Sequence, residues 1–148
     1  EFSDDNTKVN EFLYRRVDLE DVVTAHLLAA ERATEIGFGR YIISATTPFS
    51  QHHLAGLRTD APKILRELHP EFEDEYSQRG WSMFPGIDRV YVNQAARTDL
   101  VWNPKYDFAH MLACLREGID WRSPLAMAVG KKGYHEMEFD EGPYPVEG

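Results

Sequence analysis

Arg15, Arg16, Arg40 and Arg89 are the side chains of this sequence best suited to holding a ligand. A guanidinium presents a planar fork of donors that can grip a carboxylate or a phosphate through two bonds at once. A few arginines meeting in one cleft can therefore hold an anion on an otherwise acidic protein. Their placement fits such a meeting. Arg15 and Arg16 stand just before a capped helix, Arg40 opens an apolar run, and Arg89 follows a loop rich in glycine and aromatic residues. In α/β folds, ligands gather where strands end and helices begin. The competing reading is of surface arginines paired among 25 acidic residues, an arrangement worth little to stability.

Other chemistries are poorly supplied. Gly37-Phe38-Gly39 contains GxG but follows a helical pattern and precedes an apolar run, the reverse of the strand–loop–helix order that points amides at a pyrophosphate. It reads as a helix stop. Gly130-Lys131-Lys132-Gly133 lacks the spacing of a phosphate-binding P-loop and reads as a turn. Hydride transfer of the short-chain dehydrogenase kind needs a Lys four residues after a Tyr, so that the ammonium lowers the phenol's pKa. None of the seven tyrosines has one. His52 and His53 are neighbours on a predicted helix and diverge, no HExxH is present, and His135 beside Glu136, Glu138 and Asp140 reads as a solvated tail. Cys114 lies within a helical pattern and reads as a packed thiol. No catalytic residue and no metal site are assigned.

Composition bounds the rest. A chain of 148 residues with 43% apolar content has the size and the core of one domain. A net charge of −9 repels nucleic-acid phosphates and anionic membranes, while leaving small anionic ligands open. The single cysteine excludes an internal disulfide and fits a reducing cytoplasm. No run approaches the roughly 20 apolar residues that span a bilayer, and EFSDDNTKVN carries acid where a signal peptide carries base. A soluble, cytoplasmic protein is expected. The opening without methionine and the acidic end raise the prospect of a piece of something longer.

These residues need elements to position them. After a polar lead-in, Phe12 to Val17 reads as a short strand or extended segment. Asp18 then caps a helix, with Asp21 answering as in a capping box, and Leu19, Val23, Leu27 and Ala30 form its apolar face until Gly37 and Gly39. Arg40 to Ala45 is the clearest strand, and Arg89 to Val92 a second. Thr47-Pro48 starts a helix with Phe49, Leu54 and Leu57; Asp60-Ala61-Pro62 starts another with Ile64, Leu65 and Leu68. Glu71 to Gln78 and Gln94 to Leu100 are helical, with a loop through Gly80, Pro85 and Gly86 between them. Asp107 caps a helix whose Phe108, Met111, Leu112 and Leu115 share a face up to Gly118, and Ser123-Pro124 opens the last.

Three stretches carry a resemblance: Arg16-Val17-Asp18-Leu19-Glu20-Asp21-Val22-Val23-Thr24-Ala25-His26; Tyr41-Ile42-Ile43-Ser44-Ala45 with Thr47-Pro48-Phe49; and VNQAARTDLVWNPKYDF from Val92 to Phe108. In this order and at these intervals they resemble the C-terminal half of NAD-dependent sugar-nucleotide epimerases and dehydratases, the extended short-chain dehydrogenase/reductase family. The last stretch is the most specific. Ala95-Ala96, Leu100, Trp102, Pro104 and Tyr106-Asp107-Phe108 stand where the family shows a pattern like SKAxxxLGWxPxYDF. The likeness covers roughly residues 12 to 134.

The resemblance implies an α/β fold: the helix-rich C-terminal portion of a Rossmann-like enzyme, with few short strands and the dinucleotide-binding half absent. Residues 1–132 would be the substrate-binding portion and 133–148 an acidic tail. NAD belongs to the intact family member, and none is expected to bind this chain alone. The implied partner is a nucleotide sugar or another small polar substrate, together with a missing N-terminal half or further copies of the chain. In many relatives, one arginine seven positions before the helix-start aspartate and another in an RxGD-like loop grip the diphosphate. Here Tyr14 stands seven before Asp21, with Arg15 and Arg16 beside it, and the loop reads Phe84-Pro85-Gly86-Ile87-Asp88-Arg89. Arg15, Arg16 and Arg89 are thus the expected contacts to phosphate or polar groups, and Tyr91 to base or sugar. The alternative is a stand-alone binding or oligomerisation module derived from the same fold. Self-association is expected on either reading, because apolar surface meant for the other half needs cover.

Overall fold

The computed structural model describes residues 2–130, and the expected acidic tail lies outside them. The described chain is helix-rich and carries no strand.

The polar lead-in is a helix, α1 (Asp4–Phe12). Ser3 Oγ accepts from the Asn6 amide at 3.2 Å, and Asp4 and Asp5 sit in the first turn, where the helix dipole favours them. Val9, Phe12 and the following Leu13 are buried. The chain then curls back on itself. The Glu11 carbonyl accepts from the amides of Tyr14, Arg15 and Arg16 at 3.1, 2.9 and 2.9 Å, which replaces the strand expected over 12–17.

Asp18 begins α2 (Leu19–Glu31) by accepting from the Glu20 amide at 2.8 Å. Arg32 interrupts the helix before α3 (Ala33–Ile36), which stops at Gly37 with φ 70°. The buried face of α2 is not the expected Leu19–Val23–Leu27 stripe. Asp21 and Ala25 are buried instead, and Val23 and Leu27 are exposed, Leu27 by 59%.

Arg40–Ala45 and Arg89–Val92 correct the strand expectation: neither belongs to a ladder. Each contributes one backbone bond to the chain after α1, from Ala45 N to Arg16 O and from Tyr91 N to Tyr14 O, both 2.8 Å. Single bonds on either side of a three-residue segment hold three stretches side by side without building a sheet.

Gln51–His53 is a single 3-10 turn, and the helix expected from Thr47 begins after it as α4 (Leu54–Thr59). Then follow α5 (Ala61–Leu68), capped by Asp60, and α6 (Phe72–Arg79), ended by Gly80 at φ 65°. The remaining helices are α7 (Gln94–Asp99), α8 (Phe108–Glu117) and α9 (Pro124–Val129). Asp107 caps α8 and Ser123 caps α9, each side chain accepting an amide three residues on at 3.0 Å.

Two cores result. The larger joins Val9, Phe12 and Leu13 to Leu57, Leu65, Phe72, Tyr76 and the inner face of α8, with Phe108, Met111 and Leu112. α8 packs on α1 and α6. The smaller gathers Ala25, Ala96, Leu100 and Trp102, with Val17, Leu28, Tyr41 and Ile43 partly buried around it.

The smaller core is stitched by carboxylates. Asp21 accepts from the Lys105 amide at 3.0 and 3.1 Å and from the Tyr106 amide at 3.0 Å. Trp102 Nε1 donates to Asp21 O and Thr24 Oγ1, both at 3.2 Å. Asp18 uses its second oxygen to accept from the Ser123 amide at 3.1 Å, joining α2 to α9. Leading into Trp102, Val101 adopts φ 55°, a left-handed conformation that costs a β-branched residue about 1–2 kcal/mol.

Candidate functional site

Tyr14, Arg15, Gly86, Ile87, Asp88, Arg89 and Tyr91 line a cleft of about 340 Å³. One wall is the chain curling off α1 and the other is the 84–91 loop. The bond from Tyr91 N to Tyr14 O sets their register, and the loop is tied to the end of α4 through Ile87 N to Leu57 O at 2.8 Å. Gly86 lies so close to α4 that a Cβ there would come within 2.9 Å of the Arg58 carbonyl oxygen. Only glycine permits this approach without moving backbone.

Aromatic packing outside the cleft supports Tyr14. Phe84 packs edge-on against Phe2 at 4.9 Å and Tyr14 at 6.3 Å. Burial raises the Tyr14 phenol above its ordinary value and Glu11 adds to this, while Arg15 opposes. The Arg15 guanidinium stands 5.3 Å over the Tyr14 ring centre, within cation–π range. Arg15 also pairs with Glu11, yet its side chain is 52% exposed and faces the cleft. Arg89 is exposed and has no ion-pair partner among the described residues.

Three of the four expected contacts therefore share this cleft: Arg15, Arg89 and Tyr91. Arg16 does not. It pairs with the other Glu11 oxygen at 2.5 Å and lines a separate cleft of about 400 Å³ with Lys8, Phe12, Asp18, Trp121 and Arg122. Consecutive residues off a helix end point apart, so Arg15 and Arg16 divide between two surfaces. Arg40 is exposed and lines neither cleft.

Glu11 and Tyr14 carry much of this geometry. The spacing of Glu11 four residues before Arg15, near a helix end, is the sequence signal for the pair. Burial pushes the Glu11 carboxyl up, but hydrogen bonds and charge from Arg15 and Arg16 outweigh it and hold the group below its usual range.

Other candidates serve the structure. Cys114 is buried, and burial raises its thiol, the opposite of an activated nucleophile. His53 Nδ1 accepts from the Ser50 amide at 3.0 Å. Among the described residues no group of three or more His, Cys, Asp or Glu side chains is placed to hold a metal, and His135 lies outside them. No helix among them is long and apolar enough to cross a membrane.

Compared with known proteins, the chain matches no family model, no curated protein and no solved structure.

Proposed function

We propose that this chain is the substrate-binding portion of an NAD-dependent nucleotide-sugar epimerase or dehydratase, of the extended short-chain dehydrogenase/reductase kind and Rossmann-like in origin. In this reading Arg15 and Arg89 contact the diphosphate, Tyr91 packs on base or sugar, and NAD and the redox chemistry reside in another half. Arg16 is not part of the cleft contact set. A cytoplasmic location, where nucleotide sugars and NAD are found, belongs to the same reading.

The observation that supports it is the bonded junction of Asp21 with Trp102, Lys105 and Tyr106. Residues that carry the resemblance, 81 to 85 positions apart, meet through direct hydrogen bonds. A likeness of spacing alone has no reason to coincide with a shared structural joint. The test is calorimetric titration with UDP-sugars. Saturable binding is expected, weakened about tenfold by Arg15→Ala and by Arg89→Ala, the worth of one charge-assisted contact pair. Absence of saturation, or binding indifferent to both substitutions, refutes the assignment.

A second reading, the stand-alone binding or oligomerisation module, draws support from a different surface. Val23, Leu27, Phe38, Ile42 and Val101 are exposed, Phe38 by 82%. Near them a small apolar cleft of about 180 Å³ is lined by Ala25, His26, Ala29, Tyr41, Ile43 and Leu100. Sedimentation velocity over a hundredfold concentration range is expected to show association, reduced by Leu27→Lys and Phe38→Ser. A strictly monomeric chain at every concentration removes this support.

A further inference from the structure

Glu11 holds both arginines of the pair that leaves α1. Its backbone carbonyl accepts the Arg15 and Arg16 amides, both at 2.9 Å, and this curl delivers the two side chains to one carboxylate. Oε1 takes Arg15 and Oε2 takes Arg16, the latter at 2.5 Å. The Glu11 side chain is only 13% exposed, whereas Arg15 is 52% exposed and lines the Tyr14–Arg89–Tyr91 cleft. Three charges thus sum to one positive charge, shared between two surfaces.

We infer that Glu11 is a built-in competitor for the cleft: an anionic ligand takes Arg15 over from Glu11, which stays bonded to Arg16. This rests on the reading of the cleft as an anion site and names what regulates it. The exchange is feasible because Glu11 is not left alone. A buried carboxylate stripped of every partner is costly, but here Arg16 still neutralises it. Arg15 keeps its place over the Tyr14 ring during the exchange and needs only to turn its donors.

The exchange also selects ligands. A single carboxylate offers Arg15 no more than Glu11 already gives. A phosphate group carries more charge and three acceptor oxygens, and Arg89, which has no ion-pair partner among the described residues, adds a second cation to the cleft beside Asp88. The site is therefore set to take phosphorylated ligands, diphosphates above all, and to pass over monocarboxylates.

The experiment is calorimetric titration of the whole chain with inorganic pyrophosphate and, separately, with acetate. Glu11→Gln keeps the size and an acceptor oxygen while removing the charge, and circular dichroism checks that the variant is folded. Pyrophosphate is expected to bind the variant about three- to tenfold more tightly than the original chain, the range of a partly exposed ion pair released for a new partner. Acetate is expected to remain without saturable binding to the original chain. In an Arg15→Ala background the gain from Glu11→Gln is expected to vanish, because the two act as one pair. If the gain persists without Arg15, Glu11 acts only through its field and the handover is overturned. Pyrophosphate binding that saturates but is unchanged or weakened by Glu11→Gln overturns the handover while leaving the anion site standing. No saturation by any form overturns both.

Discussion

Asp21→Ala is expected to destabilise the fold by about 2–5 kcal/mol, from the loss of a buried acceptor that leaves the Lys105 and Tyr106 amides without their partner. Asp21 is 2% exposed, and its two oxygens take the Lys105 and Tyr106 amides at 3.0–3.1 Å. Burial raises the Asp21 carboxyl, the Lys105 and Tyr106 amides pull it down, and the nearby Asp18 and Glu20 charges push it up again. The group is therefore kept for its acceptor geometry, at some electrostatic cost. Asp21→Asn separates the two effects. Asparagine removes the charge but presents an NH₂ to one of the amides, so it is expected to recover only part of the loss. Urea unfolding followed by circular dichroism measures both. An unfolding free energy for Asp21→Ala within about 1 kcal/mol of the original chain's would show that the junction does not hold the fold together.

The Asp21 case marks where the sequence is legible and where it is not. Asp18, Asp60, Asp107 and Ser123 were readable as caps because capping is local, a side chain bonding an amide two or three residues on. The face of α8 was readable for the same reason, since Phe108, Met111, Leu112 and Leu115 fall on one side at helical spacing. Asp21 shares a turn with Asp18 and has the look of a second capping carboxylate, yet its partners lie over 80 positions away. Nothing local separates the two roles. The same limit turned α2 around: Val23 and Leu27 have the more apolar side chains, but the buried polar joint at Asp21 fixes which face looks inward.

Strands failed for a related reason. Tyr41-Ile42-Ile43 has strand-forming residues, but a strand exists only through its partner, and here the partner is a three-residue segment offering single bonds. α1 was hidden by its low apolar content, although Ser3 followed by Asp4 and Asp5 is a readable start. In the cleft, Arg15, Arg89 and Tyr91 could be brought together from their places beside a helix end and a glycine loop. That Arg16 parts from Arg15 depends on the curl around the Glu11 carbonyl, which residue types alone do not encode.

Trp102→Ala is expected to cost about 3–5 kcal/mol, the range for deleting a buried large aromatic side chain. Trp102 is 2% exposed and, with Ala25, Ala96 and Leu100, makes up the buried part of the smaller core. Alanine at 102 would face alanines at 25 and 96, which cannot swell into the space, so the cavity persists instead of collapsing. The indole also donates to Asp21 O and Thr24 Oγ1. Trp102→Phe keeps most of the apolar area and loses this donor, and is expected to cost less than Trp102→Ala. Because Trp102 and Asp21 serve one joint, the double substitution should fall short of the summed single losses by about 0.5–3 kcal/mol. The loss should also be local. Hydrogen exchange is expected to speed up in α2 and α7, which flank the smaller core, before it does in α6 and α8, whose contacts lie in the larger one. Uniform loss of protection across all four helices would show that the two cores unfold as a single unit, and that the joint at Trp102 holds up the whole chain.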